Sequence, residues 1–131
     1  MSFKCTVVTP EQQVLDETVT QAILPAHDGQ IGILTGHSPL LVKLGTGPLR
    51  IDLAGGQRRT YFVDGGVAQM KDDKLTILST EAMAAADISA ETARAELAEA
   101  TAHQPTDDKA RADRQRRMTR ARVMQEIAGK A

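Results

Sequence analysis

The sequence predicts an antiparallel β-sandwich or barrel followed by two α-helices. Short β-branched and apolar runs alternate with turn residues over 3–78, and this pattern is typical of sandwiches and barrels. From Ala82 onward alanine becomes frequent, in company with leucine, glutamate and arginine, which favour helix. All three aromatic residues, Phe3, Tyr61 and Phe62, lie before that change. A chain of 131 residues has room for one such β domain and a small appendage.

Glycine and proline divide the β half into short strands, because both residues mark tight turns. The densest turn chemistry lies in residues 29–50, which hold five glycines, two prolines and one histidine. Clean alternation places Leu49, Ile51 and Leu53 on one buried face. The predicted strands cover residues 3–9, 14–24, 31–33, 40–44, 49–53, 59–63, 67–70 and 75–78, with a turn over 25–30.

The first helix is predicted to begin after Ser89, a good N-cap residue, and to end near Ala102. Glu91 lies in its first turn, where a negative charge is favourable. The change in composition places the domain boundary within residues 80–87. We therefore divide the chain into a β domain, residues 1–86, and a helical domain, residues 87–131.

Pro105 interrupts the helical pattern, and Thr106 is the predicted cap of a second helix that runs to about Ala128, with Gly129 as its stop. So short a link predicts an antiparallel helical hairpin. Its apolar stripes consist mainly of small residues, so the hairpin should pack weakly. These stripes are Ala93, Leu97 and Ala100 on the first helix and Met118, Ala121, Met124 and Ala128 on the second.

Charge is distributed unevenly along the chain. The formal net charge is −1, but residues 81–106 carry −4 and residues 107–131 carry +4. A basic end predicts an acidic protein or nucleic-acid partner. A nucleic-acid-binding or other adaptor module that uses the second helix is therefore an alternative function, although no aromatic residue follows Phe62 to stack on bases.

The sequence contains no recognisable catalytic or metal-binding pattern. Cys5 is the one cysteine, so we interpret it as a packed thiol of the first strand and expect no intramolecular disulfide. The three histidines are scattered, and no paired carboxylates or nucleophile with a base occur at a useful spacing. No apolar run reaches the ~18 residues of a membrane helix, and the N-terminus lacks a signal-peptide core, so we expect a soluble protein.

Several motifs, taken in order, resemble the epsilon subunits of F-type ATP synthases. They are F-x-x-x-V-V-T-P-E-Q-x-V, G-Q-I-G-I-L-x-G-H-S-P-L-L, L-x-x-G-P-L-R-I, Y-F-V-D-G-G-V-A-Q-M and L-T-I-L, followed by the alanine-rich hairpin. The G-x-x-G-H-x-P-L-L corner and the D-G-G-V segment are the most specific of these. The resemblance covers essentially the whole chain.

This resemblance implies a sandwich of about ten strands, two C-terminal helices and no catalytic residue or required cofactor. The implied function is that of a rotor subunit in the central stalk, which couples the gamma subunit to the c-ring. Its hairpin would extend toward the alpha and beta subunits and inhibit ATP hydrolysis. The implied location is the cytoplasmic face of the bacterial inner membrane, reached only through the complex.

The resemblance also implies three sets of site residues. The rotor interface with gamma and the c-ring would use Asp28, Gly29, Gln30, Gly32 and His37, although the family often has an acid in place of Gln30. For His37 the alternative is a corner imidazole bonded to nearby backbone. The contact with the catalytic subunits would use Arg116, Arg117, Arg120 and Arg122, and the alternative is a solvated face paired within the hairpin.

A third set would bind ATP as a regulatory ligand in the folded hairpin. Some bacterial relatives use a motif like Ile/Leu-Asp-x-x-Arg-Ala, to which Glu91 and Arg94 correspond only in part. Arg116 and Arg120 would supply the positive charges of the second helix. The alternative is an ordinary Glu91 to Arg94 pair on one helix face. The glycines of residues 29–36 do not form a phosphate loop, since the Lys-Ser/Thr ending is absent.

Overall fold

The computed structural model describes residues 2–130, with side chains described as far as Ala128. Within this part of the chain, nine strands are followed by a 3-10 turn and two helices. The strands are β1 (Phe3–Val8), β2 (Gln13–Ala26), β3 (Gly29–Leu34), β4 (Leu40–Lys43), β5 (Thr46–Leu53), β6 (Arg58–Asp64), β7 (Val67–Lys71), β8 (Lys74–Leu78) and β9 (Ala82–Ala84). The turn is Ala85–Asp87, and the helices are α1 (Ala90–Ala102) and α2 (Asp108–Lys130). The predicted order of a β-sandwich and a helical hairpin is confirmed, with nine described strands where about ten were expected.

The long strand β2 joins the two layers of the sandwich. Its first half pairs with β1 and its second half pairs with β3 along the same edge, while β5 pairs along the other edge. One layer therefore contains β4, β7, β8, β1 and the first half of β2, and we call it the first sheet. The other contains β3, the second half of β2, β5, β6 and β9, and we call it the second sheet.

The main apolar core lies between these two sheets and is built by alternate residues of each strand. Cys5, Val7, Ile33, Ile51 and Ile77 are among its fully buried members. The prediction that Leu49, Ile51 and Leu53 share one buried face is confirmed. Among the side chains described in α1 and α2, none belongs to this core.

Three features of the β domain differ from the prediction. β1 and β8 pair in parallel, whereas the other seven strand pairings in residues 2–130 are antiparallel. β2 continues to Ala26, because Pro25 sits opposite Gln30 near the end of the ladder, where a missing N–H is tolerated. β9 was not predicted, since pairing with the free edge of β6 overrides the helical preference of alanine.

A second apolar cluster joins the hairpin to the outer face of the second sheet. Phe62 of β6 is its largest fully buried member. The other buried members are Ala85, Ile88, Ala93, Met124 and Ile127, with Met83, Val123 and Ala128 packed partly against them. The predicted helix stripes are largely correct, but they omit Ile127.

The helix ends confirm one predicted cap and correct another. The Ser89 hydroxyl accepts a hydrogen bond from the Thr92 amide at 3.1 Å, as expected of an N-cap. Thr106 does not cap α2; the Asp107 carboxylate does so, accepting from the Ala110 amide at 2.7 Å. α2 also continues past Gly129 to Lys130, since one glycine costs only about 1 kcal/mol inside a helix.

Candidate interaction surfaces

The predicted rotor residues Asp28, Gly29 and Gln30 form the exposed tip of the β2–β3 hairpin. Gly29 has φ of +136°, which the turn requires and which favours glycine. Hydrogen bonds to neighbouring segments hold the base of this tip: the His27 amide donates to Lys43 O and the Gly45 amide donates to Pro25 O. Gly32 lies farther along β3, exposed and opposite Ile23.

His37 lies at the other end of β3 from the tip. Its amide donates to Leu34 O at 3.1 Å, and its Nδ1 lies 2.7 Å from Ser38 O. The neighbouring Gly36 amide donates to the Asp73 carboxylate at 2.9 Å. The six residues of β3 span roughly 16 Å, so the structure does not bring His37 close to the tip. Its imidazole is bonded to nearby backbone, as the alternative interpretation expected.

An exposed apolar surface lies on the outer face of the first sheet, and sequence reasoning missed it. Leu41, Val67 and Leu78 are 73%, 39% and 49% exposed. Val67 sits directly opposite Leu78, and Leu41 sits one row away in the adjoining strand. We call these three residues the apolar face. Outward positions of a solvated strand are normally polar, so apolar residues at such positions in three neighbouring strands were the available signal.

A row of lysines borders the apolar face at one end. Lys71 pairs with Lys74 in the β7–β8 ladder, and Lys74 pairs with Lys4 in the β8–β1 ladder. The ammonium group of Lys4 lies 3.3 Å from the Asp16 carboxylate. A partner with an apolar centre and an acidic margin would therefore fit this surface.

The arginines of α2 are largely paired within the folded protein. Arg116 forms an ion pair with Asp113 one turn earlier, and Arg117 lies 3.6 Å from Glu99 of α1. Arg122 is exposed and forms no ion pair within the described residues. Arg114, which was not among the predicted site residues, donates to the carbonyl oxygens of Ala100 and Thr101 at the end of α1.

Arg120 differs from the other arginines because it reaches the sandwich. It donates to both carboxylate oxygens of Glu81, at 2.6 and 3.2 Å, and to Glu96 of α1 at 3.1 Å. A carboxylate oxygen of Asp64 lies 3.8 Å away, and the guanidinium carbon lies 5.8 Å from the centre of the Phe62 ring. The hydrogen bond with Glu81, aided by the nearby carboxylates and opposed by burial, raises the pKa of Arg120. Its charge is therefore permanent.

A cleft of about 480 Å³ lies beside Arg120, between the hairpin and the end of β6. The polar side chains that line it belong to Asp64, His103, Asp113, Arg114, Arg116, Arg117 and Arg120. The cleft thus contains the two α2 arginines of the predicted ATP site. Glu91 and Arg94 are exposed on α1 and do not line it, so the structure does not bring the four predicted residues together.

The described residues contain neither a metal site nor a membrane helix. No group of three or more histidine, cysteine, aspartate or glutamate side chains is placed to hold a metal in residues 2–128. Neither α1 nor α2 is both long and apolar enough to cross a bilayer.

Comparison with known proteins finds one matching family model and several relatives of the same kind. Residues 2–85 match the family model described as the ATP synthase delta/epsilon chain β-sandwich domain. The chain is 35% identical to an ATP synthase epsilon chain of Parasynechococcus marenigrum over 94% of its own length and 95% of the relative's. It is 36% identical to one of Granulibacter bethesdensis over 79% and 76%. It is also 43% identical to one of Rhodopirellula baltica, where the match spans 63% of this chain and 64% of the relative.

Two solved structures share the fold. A chain of the Euglena gracilis mitochondrial ATP synthase structure superposes with a TM-score of 0.87 at 24% identity, over 95% of this chain and 80% of that one. A chain from the central stalk and c-ring of the Tetrahymena thermophila enzyme gives 0.68 at 17% identity, over 95% of both chains. At these identities the likeness concerns the fold alone.

Proposed function

The chain belongs to the ATP synthase delta/epsilon family, and on that premise we propose that it is a rotor subunit of the central stalk. As an epsilon chain it is a non-catalytic subunit of the enzyme. Its role is to join the gamma subunit to the c-ring and to restrain ATP hydrolysis through its hairpin. It works at the cytoplasmic face of the bacterial inner membrane and reaches that membrane only through the complex.

One observation carries this proposal: the sandwich has two outer faces, and only one of them is covered. The hairpin packs on the second sheet through Phe62, whereas the first sheet presents the apolar face to solvent. Contiguous exposed apolar side chains on a small protein are typical of a partner-binding surface. The lysine row beside it favours a partner with acidic margins. The partner that we propose for this face is the gamma subunit, as expected of an epsilon chain.

The tip and His37 extend this interface at the two ends of β3. Asp28, Gly29, Gln30 and Gly32 are exposed at or near a tight turn, which suits contact with the loops of the c-ring. His37 lies beside the start of β4, whose Leu41 belongs to the apolar face. Because the two ends lie roughly 16 Å apart, the subunit has room for two different rotor partners along one strand.

Copurification with gamma tests the rotor role. Leu41→Glu places a charge at the most exposed residue of the apolar face and should weaken binding to isolated gamma at least about tenfold, as for an interface residue that carries much of the binding energy. Gln57→Glu, in the exposed β5–β6 turn, is the matched control and should bind normally. The proposal fails if the natural chain neither binds gamma nor alters the ATPase rate of the assembled motor.

The inhibitory role rests on Arg116, Arg117, Arg120 and Arg122. In the folded protein Arg116 and Arg117 are paired within the hairpin and Arg120 is paired with Glu81 of the sandwich, so contact of Arg120 with acidic segments of the alpha and beta subunits requires the hairpin to leave the sandwich. A chain ending at Asp87 should still join the motor and should relieve inhibition. Replacing the four arginines with alanine should reproduce most of that effect. Unchanged hydrolysis in the truncated complex would contradict the role.

ATP as a regulatory ligand is a second proposal, and the arginine-lined cleft favours it. Arg114, Arg116, Arg117 and Arg120 surround a space able to hold a triphosphate. NMR titration of the whole chain with ATP should move resonances of α2, and Arg116→Ala should abolish the movement. Inorganic triphosphate is the control: equal shifts would mean that the cleft recognises only charge. Shifts confined to other surfaces would exclude an ATP site here.

A further inference from the structure

Arg120 connects three segments of the chain that no other described arginine or lysine connects. Its guanidinium contacts Glu81 after β8, Asp64 at the end of β6 and Glu96 on α1, while its own backbone belongs to α2. The other ion pairs of the hairpin within residues 2–128 stay inside it. Arg120 is thus the described charged residue through which the hairpin is attached to the sandwich.

The acidic side of this contact is rigidly built, and we call Asp64 and Glu81 the acidic corner. The Asp64 amide donates to Glu81 O at 3.1 Å, and the buried Ser79 hydroxyl donates to Glu81 O at 2.8 Å. The Thr46 hydroxyl donates to the Asp64 carboxylate at 2.7 Å and so fixes its direction. The backbone of Glu81 and the carboxylate of Asp64 are thus held in place before the guanidinium arrives, which lowers the entropy lost on pairing.

A sharp turn at two glycines, the second of them closely packed, brings the members of the acidic corner together. Gly65 has φ of +73° and Gly66 has φ of +110°, conformations that turn the chain sharply after Asp64. At Gly66 the backbone touches the carbonyl of Leu78 so closely that no side chain fits. The D-G-G-V segment therefore places Asp64 beside Glu81, within reach of α2.

The apolar part of the hairpin contact is small. On the hairpin side three of its six buried members, Ile88, Met124 and Ile127, are larger than alanine, and on the sandwich side Phe62 is the large buried member. Replacing Arg120 would remove its attraction to the three carboxylates that it contacts. It would also leave Asp64, Glu81 and Glu96 facing one another without a cation, and like charges at this spacing repel.

We propose that Arg120 is a latch that holds the hairpin on the acidic corner and makes α1 and α2 leave the sandwich as one unit. α2 is tied directly to the sandwich through Glu81, whereas α1 is tied to α2 through Glu96 on the same guanidinium. The consequence for inhibition rests on the function proposed above. Arg120 serves either the latch or a contact outside the subunit, because one guanidinium cannot occupy both places.

Distances between spin labels in the full chain test the latch. The labels are placed at Thr18→Cys on the sandwich, Ala98→Cys on α1 and Gln115→Cys on α2, taken two at a time in a Cys5→Ala background. All three positions are exposed. Double electron–electron resonance then reports each helix against the sandwich and the helices against each other. The natural chain is compared with the variants Arg120→Gln, Glu81→Gln and Glu96→Gln. Arg122→Gln, at an exposed position, is the control.

Each variant has its own expected pattern. In Arg120→Gln both helices should separate from the sandwich, with the undocked population raised at least about tenfold, as for loss of a charged hydrogen bond. Glu81→Gln should do the same while the distance between α1 and α2 stays unchanged. Glu96→Gln should leave both helices docked, because Arg117 still pairs with Glu99 and Arg114 still donates to Ala100 and Thr101 at the end of α1. Arg122→Gln should match the natural chain. Docked distances in both Arg120→Gln and Glu81→Gln would overturn the latch.

A charge exchange and a motor assay complete the test. If Arg120→Gln fails to fold, the triple variant Glu81→Arg, Arg120→Glu and Glu96→Gln should restore the docked distances, because Glu96→Gln removes the carboxylate that would repel the exchanged charge at position 120. A triple variant that folds but stays undocked would overturn the pairing. Glu81→Gln leaves Arg116, Arg117, Arg120 and Arg122 intact, so in the assembled motor it should strengthen inhibition of ATP hydrolysis. Undocking without any change in hydrolysis would leave the latch standing and would count against the inhibitory role.

Discussion

Gly66 is the point where β7 and the segment after β8 touch. A Cβ there would overlap the Leu78 carbonyl oxygen and lie 2.8 Å from Ser79 Cα, at a φ of +110°. Gly66→Ala should therefore lower the free energy of unfolding by about 2–4 kcal/mol, measured by urea denaturation. Gly55→Ala, where a Cβ meets nothing within 4 Å, should change it by less than about 0.5 kcal/mol. Equal effects at the two positions would contradict this account of the corner.

Cys5 makes stability depend on pH in the alkaline range. Burial raises the pKa of its thiol from the ordinary 9.0 to about 12. The folded state therefore holds a proton that the unfolded state releases between these values, so this contribution is complete below pH 9 and is lost as pH rises toward 12. The free energy of unfolding should fall by up to about 1.4 kcal/mol per pH unit there. Cys5→Ala should lack this component of the slope; identical slopes would contradict it.

At the scale of single residues, sequence reasoning identified the glycine pair after Asp64 but not the acidic corner that this pair helps to form. The acidic corner unites residues 64 and 81, and its partner lies at residue 120. Nothing local in the sequence distinguishes Arg120 from Arg116 or Arg122, because only the packing of α2 on β6 turns one of them inward. The arginines were recognised as a group, and their division into engaged and exposed members required the tertiary structure.

The start of α2 gives a prediction for a secondary-structure element. Because the Asp107 carboxylate caps the Ala110 amide, Asp107→Ala should destabilise the first turn of α2 by about 1 kcal/mol. Amide hydrogen exchange of that turn is the measurement. Thr106→Ala is the matched control and should leave the exchange unchanged. Faster exchange in Thr106→Ala alone would mean that the cap had been assigned to the wrong residue.

Elements with strong periodicity were predictable, and elements decided by distant pairing were not. β5 alternates clearly, and the N-cap Ser89 and the position of α1 follow from local capping chemistry. β9 consists of residues whose local preference is helical, and it becomes a strand only because β6 offers a free edge. The parallel pairing of β1 with β8 likewise has no local signature, since it depends on how the sheets close.

In the whole molecule, the two apolar clusters indicate that the sandwich is more stable than the attachment of the hairpin to it. The core between the sheets takes no residue from the helices, whereas the second cluster depends on both parts and is small. The sandwich should therefore keep its fold when the hairpin leaves, which the extended state of the proposed function requires. The alanines of the two helices predicted weak packing of the hairpin. The sequence did not show whether Phe62 belongs to the docking site or to the main core.

A chain ending at Asp87 tests this division. It should fold with the circular dichroism of a β protein, because every member of the main core is retained. It should also bind the dye ANS more strongly than the full chain, because Phe62 and Met83 lose their cover.

Phe62→Thr in the truncated chain should remove that extra binding without lowering its stability by the ~3–5 kcal/mol typical of an emptied core site. In the full chain the same change should release the hairpin, and its cost cannot exceed the free energy of docking. A truncated chain that is unfolded, or that binds no more dye than the full chain, would show that the two parts form one cooperative core.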